Sequence, residues 1–165
     1  MPLRSWALFA GLLFAAGIPP GRREDSHDKL PPAASVLLDE ADAVELISLE
    51  PRDRPANSEE SFHGWKVLGR GDLRDPASRR AIITSVKRGI GAADKVAGCF
   101  EPRHGLRATK GDRSADLVIC FSCGWIEVHS EGKTSSVWTS DSPKEAFNKA
   151  LRDAGATLAQ DVEGP

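Results

Sequence analysis

The stretch Asp116-Leu-Val-Ile-Cys-Phe121 places five apolar residues in a row, 117–121. A strand with one wet face shows a polar residue at every second position; this one shows none, so both its faces need a cover. It therefore reads as the central strand of a sheet with material packed on each side. It runs into Cys120-Phe-Ser-Cys123-Gly124-Trp125, where Gly124 marks a tight turn into a second strand over 125–130.

Around that strand the pattern is a meander. Residues 105–110 turn through 111–114 into 116–121, and a short strand at Val137-Trp138 follows 125–130. Two further strands precede it, over 43–50 and 63–70. Asp75-Pro76 reads as an N-cap with proline at the first helical position, and Ile82, Ile83, Val86 and Ile90 recur at helical spacing. A second helix follows the capping box Ser142-Pro-Lys-Glu145, with Ala146, Phe147, Ala150, Leu151 and Ala154 as its apolar stripe. The expected order is β-β-α-β-β-β-β-α, an α+β domain with a mostly antiparallel sheet and two packed helices.

The ends differ from this body. Residues 1–17 read as an export signal: a short basic start, then a charge-free run too short for a bilayer-spanning helix, with small residues before a cleavage point after Gly17. Residues 18–42 are rich in Pro and charge and read as a flexible linker. The folded domain is expected over 43–160 and a disordered tail over 161–165. The implied location is secreted or periplasmic. Membrane attachment is expected only if the apolar start stays uncleaved, because no lipobox cysteine is present. A formal charge of -2 gives no case for a nucleic-acid partner.

Three cysteines, Cys99, Cys120 and Cys123, are an odd number for an exported chain. The reading favoured by export is a structural disulfide from Cys99 to Cys120 or Cys123, closing a loop of roughly twenty residues with stabilisation on the order of 3 kcal/mol. In a regular strand Cys120 and Cys123 face opposite sides, so one of them should point toward Cys99. The alternative cofactor is zinc, held by Cys99, His104, Cys120 and Cys123, a tetrahedral Cys3His composition. A redox pair is weaker, since no helix N-terminus follows Cys120 to depress a thiol pKa. The bridge from Cys99 and the zinc site both need the meander to bring Cys99 beside the other two sulfurs.

Arg103, His104 and Arg107 form a local basic cluster. In extended chain, Arg103 and Arg107 share a face and can grip a carboxylate or phosphate. The plainer reading makes them solvated hairpin charges partnered by Glu101, Asp112 and Asp116. Cys99 with His104 lacks the third orienting group and oxyanion hole of a nucleophilic site. His63 and His129 stand singly in strands. Arg70-Gly71-Asp72 spells an adhesion tripeptide, but turn chemistry between strand and helix accounts for Gly71. No glycosylation sequon, P-loop or HExxH motif occurs.

Phe62-His-Gly-Trp-Lys-Val-Leu-Gly69, Cys99-Phe-Glu-Pro-Arg-His-Gly105 and Asp116-Leu-Val-Ile-Cys-Phe-Ser-Cys123 together resemble a family of bacterial exported or lipoprotein-like proteins, over roughly 44–158. That resemblance implies a single exported domain and carries no activity. The expectation is a non-enzymatic envelope or extracellular binding protein with one structural disulfide, recognising a protein or an anionic small ligand; the alternative is a zinc or thiol-redox protein.

Overall fold

The computed structural model describes residues 27–55, 60–93 and 96–160. The expected signal segment 1–17 and tail 161–165 lie outside them. In chain order the elements are α1 (Pro32–Asp39), β1 (Ala43–Glu50), β2 (Ser61–Phe62), β3 (Trp65–Asp72), α2 (Pro76–Gly89), β4 (His104–Lys110), β5 (Arg113–Cys120), β6 (Trp125–Ser130), β7 (Lys133–Trp138) and α3 (Lys144–Asp153). The strands form one antiparallel sheet in the order β2-β3-β1-β4-β5-β6-β7. The protein is α+β, as the periodicity implies, with more elements than the sequence order gave. A third helix precedes β1, and a two-residue strand precedes β3.

The extra helix corrects the linker reading. Prolines and charges around residue 32 suggest a flexible segment, yet Ala34, Leu37 and Leu38 recur at i, i+3 and i+4 and are all buried. An eight-residue helix is marginal alone. Packing against β4, β5 and β6 holds it, with Lys87 Nζ donating to Ser35 Oγ at 3.1 Å and to Asp39 Oδ2 at 2.6 Å. Asp75 caps α2 as expected, its carboxylate accepting from Ser78 N at 2.8 Å. The box at Ser142 does not form: α3 begins at Lys144 with no side-chain cap, and Ser142 Oγ instead meets Ser140 Oγ at 2.9 Å. Among the described residues no helix is long and apolar enough to cross a membrane.

The last six residues of β5 are buried. On one face Leu117 and Ile119 join Leu46, Leu106, Phe147, Leu151 and Val86, so all three helices cover this side. On the other face Val118 joins Ile47, Leu49, Phe62 and Trp65, with Phe100 against them and none of the described helices in the cluster. The β2–β3 hairpin supplies that second cover. Its two turn residues, His63 and Gly64, have φ of 50° and 81°, the positive values a two-residue hairpin turn needs. The sheet curls so that Phe62 lies over Gly105, where an added Cβ would sit 2.8 Å from the ring.

The hairpin tip is held by charge. Asp116 is 5% exposed and accepts from His63 Nε2 at 2.8 Å and from Arg107 through Nε at 2.9 Å and Nη2 at 2.7 Å. Burial pushes the Asp116 carboxyl up, but hydrogen bonds from Arg107 and His63 outweigh it and hold the group below its usual value of 3.8.

Register is interrupted once. Ser48 pairs with Gly69 and Leu49 with Val67, leaving Leu68 as a bulge in β3. Beyond the bulge Gly69 faces the C-terminal segment, where an added Cβ would meet Ala156 Cβ at 2.9 Å and Thr157 N at 3.0 Å.

Two predictions follow from this architecture. Gly69→Ala pushes against backbone that cannot rotate away, so the urea midpoint should fall by the equivalent of about 1–3 kcal/mol; an unchanged midpoint would mean that 154–157 does not lie on β3. A carboxylate whose folded pKa is depressed stabilises above its unfolded pKa and loses that contribution as pH falls through the folded value. Asp116→Asn should therefore cost about 2 kcal/mol at pH 7. The gap to wild type should shrink below the 3.8 reference. A gap independent of pH in paired urea titrations would contradict the clamp.

Candidate functional site

The turn after β5 gathers the sulfurs. Gly124 N donates to Phe121 O at 3.3 Å, and this reversal brings Cys120 and Cys123 to disulfide distance, Cα to Cα 5.2 Å. The alternation that would separate them applies only within a strand, and β5 ends at Cys120. The bridge expected from Cys99 to one of them is therefore replaced by a bridge within the pair. Cys99 nevertheless arrives where the meander was expected to bring it: its Sγ lies 2.9 Å from Cys123 Sγ, and it is exposed with no disulfide partner. Two hydrogen bonds dock its loop, Ala97 N to Cys123 O at 2.9 Å and Trp125 Nε1 to Ala97 O at 2.8 Å. An open cleft of about 250 Å³ lies beside Cys99, lined by Gly98 and Phe100 of the loop and by Trp125, Glu127 and Ser136 of the sheet.

His104 does not join the cysteines. Cys120 shares strand parity with Val118 and so belongs to the face without helices. His104 packs on Phe121 and Phe147 on the helical face, and Asn148 Oδ1 accepts from its Nε2 at 2.8 Å. The Cys3His constellation is thus not assembled. Among the described residues no group of three His, Cys, Asp or Glu side chains is placed to hold a metal ion.

The basic cluster also divides. Arg107 turns to the face without helices and is spent on Asp116. Arg103 lies just outside β4, where strand alternation no longer dictates its direction. It lines a polar cleft of about 200 Å³ on the helical side with Ser48, His104, Lys144, Glu145, Asn148, Arg152, Leu158 and Ala159. Arg103 and Arg107 therefore do not grip one anion together. Arg103 and His104 instead share a cavity with two cations of α3 that sequence spacing could not associate with them. Ser48 sits opposite His104 and Gly69 at the bulge. It is 0% exposed, and its hydroxyl has no hydrogen-bond partner among the described residues. A pattern search overlooks it as one polar residue in an imperfect strand.

His63 and His129 stack at 3.7 Å between ring centroids, 11° from parallel. Glu127 Oε2 lies 3.7 Å from His129 Nε2, and Thr134 Oγ1 meets Nδ1 at 3.1 Å. With Asp116 occupied by Arg107 as well as His63, the group fastens the hairpin; His129 Nε2 is buried with no hydrogen-bond partner among the described residues. The adhesion tripeptide lies within β3, not in a turn. Arg70 pairs with Glu45 at 2.8 Å, and Gly71 abuts Ala154.

No family model, characterised protein or solved structure matches the chain.

Proposed function

We propose that the chain is an exported, non-enzymatic α+β domain that binds a small oxyanion in the cleft between β1, β4 and α3. The single observation carrying this reading is the Ser48 hydroxyl, wholly buried and without a hydrogen-bond partner among the described residues, on a residue that lines that cleft. An unmet buried hydroxyl costs about 1–3 kcal/mol, which an anionic oxygen accepting its hydrogen bond would recover. The surroundings suit the same ligand. Arg103, Lys144 and Arg152 bring positive charge, and Glu145 is the one acidic residue of the described lining. Lys144 and Glu145 open α3, whose N-terminal dipole favours negative charge. Asn148 fixes the imidazole of His104 at the wall.

Export is proposed from residues 1–17, and the Cys120–Cys123 pair suits an oxidising compartment. Material recovered outside the cytoplasm should begin at Ile18 on N-terminal sequencing; an intact Met1 would remove the cleavage step.

The binding reading is tested by titrating inorganic phosphate and sulfate, at low salt, into protein labelled for amide NMR. The shifts should be centred on Ser48, His104 and Asn148. Arg152→Ala alters an exposed side chain and should weaken binding roughly tenfold or more, the scale of one charged hydrogen bond. Ser48→Ala should weaken it while leaving the urea midpoint unchanged or raised, because an unmet hydroxyl has been removed. No saturable shift in the cleft with any of these anions would overturn the proposal.

A further inference from the structure

Three sulfurs meet at the turn after β5, and their differing exposure gives them different parts. We propose that Cys99, Cys123 and Cys120 form a thiol–disulfide relay that takes its equivalents from a disulfide of another molecule. This goes beyond the anion-binding reading and does not depend on it.

Cys120 and Cys123 are each 1% exposed, whereas Cys99 is exposed and lines the open cleft with Phe100 and Trp125. An outside reagent therefore meets Cys99 first. Cys99 Sγ lies 2.9 Å from Cys123 Sγ, slightly shorter than the roughly 3–3.5 Å of a near-attack arrangement, so the two sulfurs need no further approach. The hydrogen bonds from Ala97 and Trp125 keep the loop there. Cys123 lies between the other two sulfurs, bridged to Cys120 and in contact with Cys99.

The internal step balances without an added oxidant. Cys99 loses its proton to solvent, and the thiolate pair forms a bond to Cys123 Sγ. The Cys120–Cys123 bond breaks, and its electron pair stays on Cys120 Sγ, which takes up a proton. Ser122 Oγ, 3.5 Å from Cys120 Sγ, is placed to donate a hydrogen bond to that departing thiolate. One isomer presents an accessible thiol at Cys99; the other bridges Cys99 to Cys123 and leaves the remaining thiol buried at Cys120.

Starting from three reduced thiols, an external disulfide is consumed in the same order. Cys99 attacks it, forming a mixed disulfide and releasing one thiol. Cys123 then attacks Cys99 Sγ and releases the second. Cys120 attacks Cys123 last, leaving the Cys120–Cys123 bridge and a thiol at Cys99. The pair has been oxidised by two electrons and the external disulfide reduced to two thiols.

The test adds one equivalent of a chromogenic aromatic disulfide to the fully reduced protein in chelator, followed by acid quench and peptide mapping. Wild type should release two aromatic thiols per chain and end with Cys120–Cys123 bridged. Cys120→Ser should release two and stop at Cys99–Cys123. Cys123→Ser should release one and retain the mixed disulfide at Cys99. Cys99→Ser changes only an exposed side chain, so folding is not in question, and its first release should slow at least tenfold. A folded Cys99→Ser protein reacting at the wild-type rate, or a second release from Cys123→Ser, would overturn the relay.

Discussion

A strand apolar on both sides is stable only when something dry lies on each side, and β5 finds two covers of different kinds. On one side the three helices bring Val86, Phe147, Leu151 and the α1 leucines. On the other, a two-residue hairpin turn folds Phe62 back across the sheet, above a glycine at 105 that leaves room for the ring. Fully burying a side chain such as Leu, Ile or Phe is worth about 1.5–3 kcal/mol. The apolar residues on the two faces of β5 thus outweigh any single polar contact. The Asp116 clamp to Arg107 and His63 contributes at the scale of one or two charged hydrogen bonds. Burial supplies the stability, and the clamp decides where the hairpin tip comes to rest.

Much of this was legible wherever a residue's environment follows from its immediate neighbours. The run 117–121 announces a doubly covered strand, and Asp75-Pro76 announces the start of α2. The meander from β4 to β7 follows from short turns between β-rich segments. What could not be read depends on partners distant in sequence. Ala34, Leu37 and Leu38 form a helix because β4, β5 and β6 receive them, in a segment whose composition alone suggests a linker. The Ser142 box obeys the local rule and still does not form, because the chain enters α3 through Pro143 in helical conformation. Ser48 becomes notable only once the bulge at Leu68 and the arrival of α3 have closed a cavity over it.

The cysteines show the same division. That Cys99 returns to the β5–β6 turn follows from the order of strands, and the structure brings the three sulfurs together. Which two are bonded depends on where β5 stops. Three more residues of strand would have kept Cys120 and Cys123 on opposite sides; ending at Cys120 lets the turn fold Cys123 back beside it.

Residues 99–104 show how residues close in sequence part company in the fold. Phe100 packs toward Trp65 on the face without helices, ring centroids 6.1 Å apart. His104 lies against Phe147 on the helical face. Between them Pro102 is buried, and Arg103 O accepts from Leu49 N at 3.0 Å. The segment thus crosses from one side of the sheet to the other while pinned at its middle. A zinc set drawing on Cys99 and His104 would need both ends of that crossing at one point. Folding instead sends Phe100 to one face of the sheet and His104 to the other, with the short tethered segment between them.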